Sequence, residues 1–239
     1  MNIIRIFLES SLAAQIIMSV LSIFSIWSWS IFFKKLYDFA RIKKLSKRFF
    51  DSYRFHRTVK EWDNLGNLLN DNPYGRILRS GIEGYRKLKK SLQRAVPVSA
   101  PEEGQSDAHA SSLESLSDNI KLCMERTKIE EMKQLEASLP VLSTIVSVSP
   151  FLGLLGTVWG VMVAFLDIRT RGSAHITIVA PGISDALITT VYGLIVAIPA
   201  LLFFNIFRSR VNNFESELTK FIHEIFIQLR EKLLLNSEH

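Results

Sequence analysis

Three stretches of this chain stay apolar for longer than the roughly 20 residues that carry a helix across a bilayer: Ser11 to Phe33, Leu139 to Leu166 and Ile176 to Phe207. Lys34 and Lys35 stop the first. Its length and bulky end read as an uncleaved anchor, because a leader peptide has a shorter apolar core and small residues at its cleavage site. Asp185 is the only Asp, Glu, Lys, Arg or His inside the three stretches.

Between the first and second spans the period changes. Leu36, Phe39, Ile42, Leu45 and Phe49 recur at three and four, which continues the anchor as an amphipathic helix to about Lys60. A polar turn at Asn64 to Pro73 ends it, and a helix from about Tyr74 to Gln93, weakened by Gly75, Gly81 and Gly84, follows. Residues 95–112 are rich in Pro, Ser and Glu with almost no bulky apolar residue, the composition of a mobile loop. Ser111 and Glu114 form a capping box, and the helix they start is expected to run without interruption into the second span. Its middle, Glu125 to Glu136, alternates in sign as a solvated or subunit-facing helix does. After the third span, Val211, Phe214, Leu218, Phe221, Ile225 and Leu229 mark one more amphipathic helix. No strand-like alternation occurs, so the fold class is an all-α membrane protein: three transmembrane helices with long cytoplasmic helical extensions.

Composition adds orientation. The chain has 239 residues, 48% of them hydrophobic, and a net charge of +6, which suits few spans and a sizeable aqueous part. Of the 29 Lys and Arg, 21 fall between Lys34 and Lys133, whereas the loop 167–175 has only Arg169 and Arg171. Basic residues near span ends stay in the cytoplasm. The expected layout is therefore a periplasmic N-terminus (1–10), transmembrane helix 1 (11–33) and a cytoplasmic helical domain (34–138). Transmembrane helix 2 (139–166), a periplasmic loop (167–175), transmembrane helix 3 (176–207) and a cytoplasmic C-terminal helix (208–239) complete it. The basic cluster at 34–60 abuts a span, so orientation and anionic lipid headgroups account for it and nucleic acid is not an expected partner. The single cysteine, Cys123, cannot form an internal disulfide, and the five scattered histidines have no ligand spacing, so neither a metal nor another cofactor is expected.

Small and hydroxyl residues are patterned within the spans. Ser19, Ser22, Ser25 and Ser28 form a packing stripe on the first. On the second, Ser143, Ser147, Pro150, Thr157, Val161 and Ala164 share a face beside a bare line of Ser149, Gly153, Gly156 and Gly160. On the third, Ala186, Thr190, Gly193 and Ala197 make an equally narrow stripe. Gly153, Gly156, Gly160, Pro181, Gly182, Gly193 and Pro199 are read as helix-packing positions. A hairpin through 167–175 puts Thr157 and Thr190 roughly 14 to 18 Å from the same membrane face, level with each other. A lone membrane threonine bonds back to its own helix carbonyls; two at matched depth point to a lined pathway. Asp185 is a candidate for either an ion-coupled or a structural hydrogen-bonding role. Threonine does not titrate near neutrality, so a proton pathway here needs a carboxylate from a partner. With no span-embedded histidine and no pair of span carboxylates, the chain is not read as an enzyme.

The runs LEASLPVLSTIVSVSPFLGLLGTVWGVMVAF (135–165) and VAPGISDALITTVYGLIVAIPALLFFN (179–205) resemble the TolQ, ExbB and MotA proton-channel family, most closely its TolQ branch. The resemblance covers about a third of the chain closely and the N-terminal half in layout. It implies an inner-membrane motor subunit in a homopentamer around a TolR- or ExbD-like single-span partner whose aspartate carries the proton, coupled to a TolA- or TonB-like protein. It further implies that Thr157 and Thr190 are pathway residues and Asp185 the intramembrane acid. The expected function is TolQ-like, converting proton motive force into work on outer-membrane integrity and division. The alternatives are an ExbB-like subunit energising TonB-dependent uptake and a passive membrane scaffold. Asp for Glu at 185, Thr for Ala at 189 and Tyr for a small aliphatic at 192 depart from the family pattern.

Overall fold

A computed structural model describes residues 10–53, 62, 71–95, 106–173 and 175–237, without the side chains of 89, 91–95, 106–117 and 233–237. The expected turn from Asn64 and most of the expected loop lie outside these residues. Five helices are described: α1 Leu12–Tyr53, α2 Pro73–Ala95, α3 Ser106–Glu136, α4 Leu139–Arg171 and α5 Ile176–Ser237. The fold is all-α, with no strand among the described residues, and three helices are long and apolar enough to cross a membrane.

Four boundaries differ from the sequence reading. The helix expected from the Ser111 box begins at Ser106, so the loop 95–112 ends earlier. That helix does not run unbroken into the second span: a turn at Ala137 and Ser138 separates α3 from α4. Pro140, in the first turn of α4, has no N–H to offer the preceding carbonyls, so the ladder restarts with Leu142 N–H donating to Ser138 O. The loop 167–175 shrinks because α4 continues to Arg171. Gly172 then ends it with φ +62°, the left-handed conformation glycine adopts at little cost, while Arg169 and Arg171 complement the helix dipole. The third span and the C-terminal helix, expected as two elements, form the single 62-residue α5.

The chain divides into two units. The first holds 1–36 and 137–209. Here the spans of α1, α4 and α5 meet around Ile17, Leu21, Ile145, Val196 and Ala200, flanked by Phe24, Val146 and Tyr192. Large apolar side chains such as Phe151, Leu155, Trp159, Phe165, Leu187 and Ile195 remain exposed on their outer faces. An apolar surface of this extent needs lipid or neighbouring protein to cover it.

The second unit holds 37–136 and 210–239. Its core is aromatic: Phe49, Phe50, Tyr53, Tyr74 and Phe221 pack ring against ring. Asn72 and Pro73 open α2, with Asn72 Oδ1 accepting the Tyr74 N–H at 3.0 Å. Gly81 and Gly84, read from sequence as weak points, instead allow close approach: a Cβ on Gly81 would stand 2.7 Å from Met124 Sδ. Arg76 of α2 grips the buried Glu131 of α3 through two parallel hydrogen bonds. Burial and the nearby Glu224 charge push the Tyr53 phenol up to about 12. Burial and Glu217, to which Tyr74 donates at 3.1 Å, raise the Tyr74 phenol further.

Candidate functional site

The hairpin of α4 and α5 closes on small residues. Along α4 the buried line is Ser149, Gly153, Gly156, Gly160 and Ala164, and it receives α5 backbone directly. A Cβ on Gly160 would meet Gly182 O at 2.7 Å, one on Gly193 would meet Ser149 O at 2.7 Å, and one on Gly182 would meet Gly160 O at 3.0 Å. Side chains at these points would force the helices apart, which is why small residues occupy them. Thr189, fully buried, fills the space that Gly156 leaves and donates to Ala186 O at 2.8 Å. Of the expected packing positions, Gly153, Gly156, Gly160, Gly182 and Gly193 lie in this seam. Pro181 is exposed and Pro199 half-buried. The hydroxyl face of α4 borders the seam; Ser147 and Val161 on it are exposed.

Thr157 and Thr190 stand at the seam's edge, half-buried, and hydrogen-bond to each other. The corrected helix ends explain the match in height. Thr157 lies fourteen residues before Arg171 and Thr190 fourteen beyond Ile176, about 21 Å from the hairpin end on both helices, deeper than the expected 14 to 18 Å. Both hydroxyls also reach Gly153 O, each at 3.1 Å. For Thr157 this is the ordinary back-bond to its own helix; for Thr190 it crosses between helices. A Cβ on Gly153 would lie 3.1 Å from Thr190 Cα and from Thr189 O, so the absent side chain is what lets this carbonyl reach the opposite hydroxyl.

Proton counting limits what the group can do. Two hydroxyls own two hydrogens, yet three contacts link Thr157, Thr190 and Gly153 O, so one contact is always without a donor. The pair can switch between donor patterns without moving a heavy atom, but neither member titrates near neutrality. A group that gains and loses a proton must come from elsewhere.

Asp185 does not join this cluster. Its carboxylate accepts the Ser11 N–H at 2.7 Å, at the start of α1. Tyr192, two residues past Thr190, also faces α1, with its hydroxyl 2.9 Å from Ser22 Oγ. Sequence reasoning missed both contacts, and nothing in the local pattern signals a bond between helices so far apart in the chain. Among the described residues no His, Cys, Asp or Glu group could hold a metal, and the Cys123 thiol is free.

A family model described as the MotA/TolQ/ExbB proton channel family matches residues 70–220. The Tol-Pal system protein TolQ of Haemophilus influenzae is 32% identical over 242 residues, covering 100% of this chain and 98% of that protein. TolQ of Pseudomonas aeruginosa is 32% identical over 206 residues, 84% of this chain and 81% of the relative. The biopolymer transport protein ExbB of Salmonella typhimurium is 26% identical over 229 residues, 96% of this chain and 86% of the relative.

Proposed function

This chain belongs to the MotA/TolQ/ExbB proton channel family, and from that premise we propose that it is a TolQ-like subunit of an inner-membrane proton channel. With a TolR-like single-span partner it converts proton motive force into work on the cell envelope. The observation that carries the reading is the Thr157–Thr190 contact over Gly153 O. Two hydroxyls that can exchange donor roles, at one height between two span helices, form a relay that lacks only a titrating group. An aspartate on the partner's span supplies it: its carboxylate, brought beside the pair, accepts a hydrogen bond when ionised and donates one when protonated. Several copies of this chain, five on the family pattern, surround the partner and cover the apolar faces of α4 and α5. A TolA-like protein receives the motion.

The topology proposed with this function has the N-terminus and the hairpin loop in the periplasm and the second unit in the cytoplasm. Segments 11–33, 139–166 and 176–207 cross the membrane. The basic excess between Lys34 and Lys133 supports it. The matches to ExbB proteins support a second reading, in which the same channel energises a TonB-like protein.

Thr157→Val and Thr190→Val keep shape and delete the hydroxyls. In a strain lacking the native copy, each is expected to co-purify with the partner in normal amounts and yet fail to restore detergent resistance. Restored resistance in both, at normal protein levels, would leave a passive scaffold as the better account.

A further inference from the structure

The bond from Ser11 to Asp185 completes a motif that the sequence of α1 leaves unfinished. Ser11 is the N-cap of α1: its carbonyl accepts the Gln15 N–H at 2.9 Å and its Oγ faces the Ala14 N–H at 3.4 Å. In a capping box the N-cap's own N–H is answered by a Glu or Gln three residues on. Here that position is Ala14, which has no acceptor. Asp185, from α5, places a carboxylate oxygen where the missing side chain would reach.

We infer that Asp185 is a positioning residue that completes the N-terminal cap of α1 from another helix and so sets where α1 sits along α5. The contacts further down agree with one parallel register. Ser22 meets Tyr192, and Phe32 stacks on Phe203 with ring centroids 4.2 Å apart. The partners of these contacts differ by nearly the same number of residues as Ser11 and Asp185, 170 and 174 for the two hydrogen bonds. The register matters to the threonines because α5 carries both contacts. Asp185 and Tyr192 bracket Thr190, so α1 holds the very segment of α5 that presents the pathway hydroxyl. The short Asp, in place of the family's Glu, serves a backbone donor already beside the α5 surface.

Asp185→Asn separates this role from proton carriage, since its amide oxygen still accepts the Ser11 N–H but cannot take up a proton. Ser11→Pro removes the donor and leaves Asp185 intact. In the full complex in nanodiscs, hydrogen exchange of the amides from Ser11 to Gln15 reads the cap, and proton flux in vesicles reads the pathway. Asp185→Ala is expected to speed exchange at Ala14 and Gln15 roughly tenfold, as loss of a cap does, and Ser11→Pro to match it at Gln15. Asp185→Asn is expected to keep protection and most of the flux. Unchanged exchange in Asp185→Ala, or an Asp185→Asn complex that keeps protection yet conducts nothing, would overturn the inference. The cap itself is independent of the proton-channel reading, and only the flux arm rests on it. A wild-type complex that conducts nothing would defeat that reading while the exchange arm still decided this one.

Discussion

Gly153 shows how one missing side chain can make a site. Its bare Cα admits the α5 backbone, and its carbonyl thereby meets a hydroxyl from each helix. Gly153→Ala is expected to cost about 1 to 3 kcal/mol of stability, the usual penalty for overpacking, and to part the two threonines. Thr190→Ser, which keeps the hydroxyl, should retain more activity than Thr190→Val at equal protein levels. Co-purified yield and detergent resistance of the three variants check both statements. In the second unit the tyrosines carry a pH dependence. A phenol raised in the fold stays protonated while its unfolded counterpart ionises, so the unfolded state binds fewer protons above pH 10 and stability falls. For Tyr53 the loss begins near pH 10, grows to about 12 and then levels off; Tyr74 extends it higher. Alkaline unfolding followed by phenolate absorbance should therefore start near pH 10. Tyr53→Phe with Tyr74→Phe should flatten the fall there.

At the scale of elements, apolar runs marked the three spans and apolar residues spaced by three and four marked their amphipathic continuations, because burying a face imposes a period that survives in the sequence; α3 was read instead from the Ser111 box and alternating charge. Ends were harder. Asp167 and Arg208 mark where apolar composition stops, but a helix stops where its ladder fails: α4 continues to Arg171 before Gly172, and α5 runs through Arg208 as far as Ser237. The helix expected to run through Pro140 breaks just ahead of it, because a proline in the first turn leaves preceding carbonyls without a donor. The small-residue stripes were legible and gave the threonine pair, whereas the Asp185 and Tyr192 contacts depend on how α1 lies along α5, which no local pattern encodes. The α2–α3 pairing offers a contrast of ion pairs. Glu131→Ala removes both hydrogen bonds that Glu131 accepts from Arg76, at a site where Glu131 is buried and Arg76 a third exposed. It should destabilise the second unit by about 1 to 3 kcal/mol, less than for a fully buried pair. Arg79→Ala removes an exposed pair with Glu83 and should cost no more than about 0.5 kcal/mol. Thermal melts of the two variants, compared with the unaltered chain, check the difference.

For the whole molecule, a lipid- or subunit-facing apolar surface surrounds a narrow polar seam, and an aromatic core stabilises a separate charged unit. The central claim is that the paired hydroxyls belong to the path and do more than pack the hairpin. The most direct test reconstitutes the chain with its single-span partner in vesicles, imposes a proton gradient and follows lumenal pH with a trapped dye. Proton entry by the unaltered complex, falling to the background of empty vesicles with Thr157→Val or Thr190→Val and persisting with Thr190→Ser, is the expected result. Undiminished entry in intact complexes of both valine variants would contradict the account.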